Sequence, residues 1–362
     1  MNIVKACSGL LTLAWASVLL TAVPAAQTPA AQTPPADAAP APADPDKPEW
    51  AYAASPVPPG GRAGGPARGA GGGRAAGAGA RGAGAPVDTT KYTLPGSKFS
   101  FTRAEVRNSF GPADWFPEDH PAMPDVVAHG RAPNARACGF CHMPNGKGRP
   151  ENAPIAGLPK AYIVQQLVDF ASGARVTAEP RKPNDMTQIS QNITPEDFEA
   201  SAEYFASMKW TPWIRVVETD TVKKTRIAGQ MFHLVEDGTT EPIGVRIVEA
   251  PENEDEEQLR APRTGFVAFV PVGSVKRGEN LVTTGANGRT IACTTCHGQN
   301  LEGVGPIPPL AGRSPSYLAR QIWDIRQGAR KGAMAALMMP VVANLTGQDI
   351  VDIFAYTASR MP

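Results

Sequence analysis

Cys138-Gly-Phe-Cys141-His142 and Cys293-Thr-Thr-Cys296-His297 are the two stretches on which the reading of this chain turns. Each has the form C-x-x-C-H, the spacing of covalent c-type haem attachment. Two thiols three positions apart reach the vinyl groups on one edge of a porphyrin and form thioethers. The histidine that follows is then held beneath the iron as its proximal ligand. The chain has five cysteines, and four of them lie in these two strings. Cys138, Cys141, Cys293 and Cys296 are therefore expected to hold two covalently attached c-type haems, with His142 and His297 on the irons. The fifth, Cys7, lies in the N-terminal apolar segment, which leaves no pair for a disulfide.

Working outward from the strings reveals an internal repeat. The first haem cysteines are 155 positions apart, and so are the histidines. The same offset carries Pro154 to Pro309, Gly157 to Gly312, Tyr162 to Tyr317, Gln166 to Gln321, Gly173 to Gly328 and Arg175 to Arg330. Ile163, Leu167 and Phe170 become Leu318, Ile322 and Ile325, an apolar stripe at helical spacing in both copies. Beyond Arg175 the second copy is three residues shorter, which places Met186 on Met338 and Thr194 on Thr346. Thr194-Pro195-Glu196-Asp197 reads as a helix start, with a threonine cap, proline in the first turn and acids behind it. Thr346 and Asp349 repeat the pattern, so each module is expected to end in a helix, to about Met208 and Arg360.

The sixth position on each iron decides function. A methionine thioether favours Fe(II), raises the potential and closes the iron to exogenous ligands, whereas an open position permits peroxide chemistry. Met186 is the expected ligand of the first iron, read as lying in the polar loop Pro183-Asn184-Asp185-Met186. Met338 and Met339 compete for the second. The repeat selects Met338, because eight residues separate it, like Met186, from the helix-start threonine. His120, His129 and His233 are expected to be surface or hydrogen-bonded histidines. Pro154 and Pro309, twelve residues after each proximal histidine, are expected to present a backbone carbonyl that fixes the imidazole.

The haem motif, the Pro-x-Ala-Gly stretches at 154–157 and 309–312, the Tyr-x3-Gln helix, the methionine segment and the threonine-capped final helix together resemble class I cytochromes c. The tandem arrangement is similar to the dihaem class I cytochromes of bacterial respiratory chains. The resemblance covers about 130–208 and 276–361. It implies a mainly α fold of two small domains, each wrapped round one haem with its terminal helix against an early one, and a haem edge near the surface. The chain departs from that pattern in a long insert.

The expected organisation is a signal peptide over 1–26, a disordered Ala/Pro/Gly-rich tether over 27–90, a first domain over 91–210, a β-rich insert over 211–275 and a second domain over 276–362. Lys5 followed by an apolar run and small residues carries the signal reading. Weak membrane association through an uncleaved segment is the alternative. The tether composition buries too little apolar surface to offset its ordering entropy. Within the insert, Ile214 to Val217, Gly244 to Val248 and Gly265 to Val270 read as strands, and the acidic run 252–257 as a solvated loop. A net charge of +1 gives no basis for nucleic-acid binding.

These features predict a periplasmic carrier that passes single electrons between redox protein partners and needs no catalytic acid, base or nucleophile. The alternatives are a haem-bearing dehydrogenase subunit and a dihaem peroxidase, the latter requiring one iron with a releasable sixth ligand.

Overall fold

The computed structural model describes residues 44–54 and 88–361. The signal segment and most of the tether lie outside the described residues. Between Lys91 and Val106 the chain forms β1 (Lys91–Tyr92), β2 (Phe101–Thr102) and α1 (Arg103–Val106), and β1 and β2 pair antiparallel. The first repeat supplies α2 (Asp125–Ala128), α3 (Cys138–His142), α4 (Lys160–Ala171), α5 (Asp185–Ser190) and α6 (Pro195–Ala206). The insert contributes β3 (Ile214–Glu218), β4 (Thr221–Lys223), β5 (Thr225–Ala228), β6 (Met231–Leu234), β7 (Thr240–Pro242), β8 (Val248–Pro251), α7 (Glu254–Gln258) and β9 (Phe266–Val270). The second repeat supplies α8 (Ser274–Thr284), α9 (Thr294–His297), α10 (Pro315–Arg326), α11 (Met339–Val342) and α12 (Gly347–Ser359).

The terminal helices start where the threonines place them. Thr194 and Thr346 accept the backbone N–H of Asp197 and Asp349, three residues on, while the Asp197 and Asp349 carboxylates accept the N–H of the capping threonines, a reciprocal pair in both modules. The repeat also runs upstream of the haem motifs. Val126, Val127 and Gly130 correspond to Leu281, Val282 and Gly285, and both glycines adopt positive φ. The early helix is four residues in the first module and eleven in the second. Pro121 and Pro124 account for the difference, because proline excludes its predecessor from the helical region and cannot donate within a helix.

In the second module α8 crosses α12 at Gly278, where an added Cβ would lie 1.9 Å from the Asp352 carbonyl oxygen. Only a residue without a side chain lets the two backbones meet there. Gly278→Ala is expected to lower stability by about 2 kcal/mol through overpacking, measured as a shift of the urea midpoint of the holoprotein.

The insert packs on both modules. Its sheet has the order β3-β9-β8, with β3 parallel and β8 antiparallel to β9. Ile247, Ala268 and Val270 join the second module's core, while Trp213, Met231 and Phe266 pack with Met143, Ala156 and Trp210 of the first. Trp115 and Phe116, from the segment before α2, bury with Leu259 and Ala261 of the insert. Two expectations are corrected here. The strand read over Gly244 to Val248 begins only at Val248, since Gly244 takes a positive φ. The acidic run is not a loop but largely the helix α7, capped by Asn253, with Glu257 buried against Arg149.

The tether expected over 27–90 is interrupted by an ordered strap, Asp44–Ala54. Trp50, Ala51 and Tyr52 supply the apolar surface that the flanking Ala/Pro/Gly sequence lacks, and Ala51 and Tyr52 are buried in the second module's core. The Ala51 carbonyl accepts from Arg320 (2.5 Å), and Asp46 accepts from the Gly347 N–H (2.9 Å). Buried Glu179 ties the strap down through Lys47 (2.9 Å), and Arg181 (2.6 Å) braces the same carboxylate. Burial alone would raise the Glu179 carboxyl, but its bonds to Arg181 and Lys47 outweigh it and hold the group at about 2. A carboxyl held below its unfolded value contributes stability that is fully present above about 4.5 and is lost as pH falls toward 2. Amide hydrogen-exchange protection over 47–52 is therefore expected to decline across that window, and Glu179→Gln to abolish the pH dependence.

Candidate haem centres

Each C-x-x-C-H string forms a single helical turn, α3 or α9, that delivers a buried histidine at its end. The Nδ1–H of His142 donates to the Ala153 carbonyl at 2.8 Å, and that of His297 donates to the Pro308 carbonyl at the same distance. The acceptor is thus the residue before each expected proline rather than the proline itself. Pro154 and Pro309 act indirectly, by holding their predecessors extended so that these carbonyls point at the rings. The bond fixes the tautomer and leaves Nε2 as the free electron-pair donor. Burial lowers the pKa of both imidazoles, which keeps them neutral and suited to a metal. Burial also pushes the Cys138 thiol up to about 12 and that of Cys293 to about 11, so neither is a reactive thiolate.

In the first module Cys141, His142 and Met186 line one cavity of about 230 Å³, walled by Ile155, Leu158, Ile163, Leu167 and Ile189. Met186 is not in a loop as expected. It occupies the first turn of α5, which positions it more rigidly. In the second module Met338 ends a 3-10 turn, Ala333–Met338, and packs on the core, whereas neighbouring Met339 is 42% exposed. The three other histidines lie apart from the cavity. His120 bonds Asp114, His129 approaches the Phe110 carbonyl, and His233 is buried beside Glu254.

Polar residues close the far side of the cavity, and sequence gave no sign of several. Lys182 donates to Gln230 from the turn between β5 and β6 (2.9 Å), and burial, with Arg320 nearby, lowers its pKa to about 7. The insert reaches the site only through the fold, so no local pattern announces it.

The repeat-matched residues Tyr162/Tyr317, Gln166/Gln321 and Arg175/Arg330 meet across the line between modules. Arg175 donates to Gln166 (2.8 Å), Gln321 (2.5 Å) and Tyr317 (3.0 Å). Arg330 donates to Gln321 (3.3 Å), Gln166 (3.0 Å) and Tyr162 (2.8 Å). Backbone bonds from Val176 to Ala329 and from Lys331 to Ala174 complete a pseudo-twofold contact. The modules therefore pack directly despite the insert. Two guanidinium groups sharing neutral acceptors leave positive charge at this contact, which suits the carboxylates of a porphyrin.

The donor set fits a haem in each module: paired cysteines and a buried neutral histidine with Nε2 free, joined in the first module by a methionine that lines the same cavity. Small helical modules of this kind, joined in tandem around such centres, define a two-centre electron-transfer protein.

Comparison with known proteins agrees. A family model for cytochrome c matches residues 275–360. The chain is 36% identical over 233 residues to a thiosulfate dehydrogenase electron acceptor of Stutzerimonas stutzeri, spanning 64% of this chain and 82% of that one. It is 29% identical over 229 residues to cytochrome c4 of Azotobacter vinelandii, spanning 61% and 83%. An 89-residue stretch is 40% identical to cytochrome c-554(548) of Halomonas halodenitrificans, 24% of this chain and 98% of that protein. The chain belongs to the tandem dihaem class I c-type cytochromes. It carries two covalent c-type haems and transfers electrons.

Proposed function

We propose that this cytochrome is a periplasmic electron carrier whose haems are attached through Cys138 and Cys141 and through Cys293 and Cys296. The axial pairs are His142 with Met186 and His297 with Met338. The observation that carries this reading is the common cavity of Cys141, His142 and Met186, together with the identical histidine geometry of the second module. The haems supply one-electron chemistry. The chain holds the imidazoles through Ala153 and Pro308, excludes water with the aliphatic walls, and fixes both modules through the Arg175/Arg330 contact. The lysine-led apolar segment at the N-terminus supports export to the periplasm.

A second reading makes the chain the electron acceptor of a dehydrogenase. It is favoured by the 36% identity to a protein of that name. The two readings share one centre chemistry and differ in the donor.

Carbon monoxide tests the closed sixth positions. The fully reduced holoprotein is expected to leave its absorption spectrum unchanged under the gas and to show no peroxide turnover. A spectral shift in one haem, with peroxide consumption, would replace the carrier with a peroxidase.

A further inference from the structure

The two modules treat the cysteine edge of their centres differently. Cys296 is exposed and Cys141 is not. Ile291, five positions before Cys296, Val304, eight after it, and Leu337, just before Met338, are exposed by 45%, 56% and 65%. The repeat places Arg136, Arg149 and Asp185 at the same three positions in the first module. There they are tied down, Arg136 to Asp185 (2.7 Å) and Arg149 to Glu151 and to Glu257 of α7.

The stretch that follows α7 covers the edge. Arg260 donates to the Phe140 carbonyl inside the haem motif and lies over the Phe140 ring, 4.4 Å from its centre. Asn145 donates to the Pro262 carbonyl at 2.7 Å and closes the next turn. Arg260 takes a positive φ of 55°, a conformation that a non-glycine residue holds only when its surroundings impose it. The second module carries no counterpart of this covering among the described residues.

We propose that insert residues 257–263 form a cap over the thioether edge of the first haem, so that electrons enter and leave at the second haem and reach the first only from within. This rests on Cys141 and Cys296 being thioether residues. It assigns the insert a role: it leaves one module as the port and makes the other an internal store.

The test uses reduced holoprotein and the cationic one-electron oxidant tris(phenanthroline)cobalt(III). Each encounter oxidises one haem by one electron and converts one cobalt(III) to cobalt(II), with no bond made. The doubly substituted Ile291→Arg, Val304→Arg protein repels the probe at the open edge. With one port, the whole absorbance change is expected to slow about tenfold. Half of the amplitude keeping the wild-type rate would overturn the proposal. Independently, a soluble gadolinium chelate is expected to broaden the methyl resonances of the second haem and spare those of the first. Arg260→Ser is expected to expose both. Equal broadening in the wild type would overturn the cap. The spectrum before mixing reports the haem attachment separately, so loss of the attachment reading is distinguishable from loss of the cap.

Discussion

Met186→Ala is expected to abolish half of the weak sulfur-to-iron absorption at the red end of the spectrum and to lower one of the two potentials by on the order of 0.1 V. Axial ligands tune haem potentials over ~0.8 V, and loss of a thioether that favours Fe(II) lies well within that range. The direction follows from the cavity. Without the sulfur, the cavity offers no second thioether, and a nitrogen or oxygen donor, Lys182 of the polar side or water, takes the position. Met338→Ala is expected to remove the other half. Met339→Ala is expected to leave the band intact, because Met338, and not the more exposed Met339, packs against the core. Absorption spectroscopy and potentiometric titration of the three variants read the outcome.

Arg313→Ala is expected to cost about 2–4 kcal/mol, because two buried carbonyls lose their donor at about 1–3 kcal/mol each. Arg313 is almost wholly buried and belongs to the second module, yet both of its bonds reach the first. It donates to the carbonyls of Pro154 (2.6 Å) and Ala156 (3.0 Å) and stacks over Trp210. Truncation strands two buried carbonyls and opens a void between modules. Those carbonyls follow closely on Ala153, whose own carbonyl orients His142. The potential of the first haem is therefore expected to shift while that of the second stays fixed. Thermal unfolding of the holoprotein gives the stability loss, and potentiometry gives the asymmetry.

Arg313 also marks where sequence reading stops. Its repeat partner is Leu158, so the 155-residue register that exposed Tyr162, Gln166 and Arg175 hides it. Residues expected at one haem recur in both modules and are legible in the spacing: the cysteines and histidines 155 positions apart, the paired methionines and threonine caps 152 apart. Residues that join the modules away from the pseudo-twofold contact of Arg175 and Arg330 break the repeat, because the second module and the insert meet the first there only once. Lys182, Gln230, Arg260 and Arg313 are all of this kind. The strap around Tyr52 went unseen for a different reason. Two large aromatic side chains, Trp50 and Tyr52, in a long Ala/Pro/Gly background do not change its average composition, but they suffice to bury a short segment once a groove beside Arg320 exists. The proline error was local. The ring was expected to meet the proline's carbonyl, whereas proline acts on the peptide that precedes it.

The central claim is that both irons are closed by methionine and that the chain is a carrier. Near-infrared magnetic circular dichroism of the oxidised holoprotein tests it most directly. The account predicts only low-spin histidine/methionine signals, with an intensity of two centres per chain. A high-spin signal, or a bis-histidine signal from either centre, would contradict it.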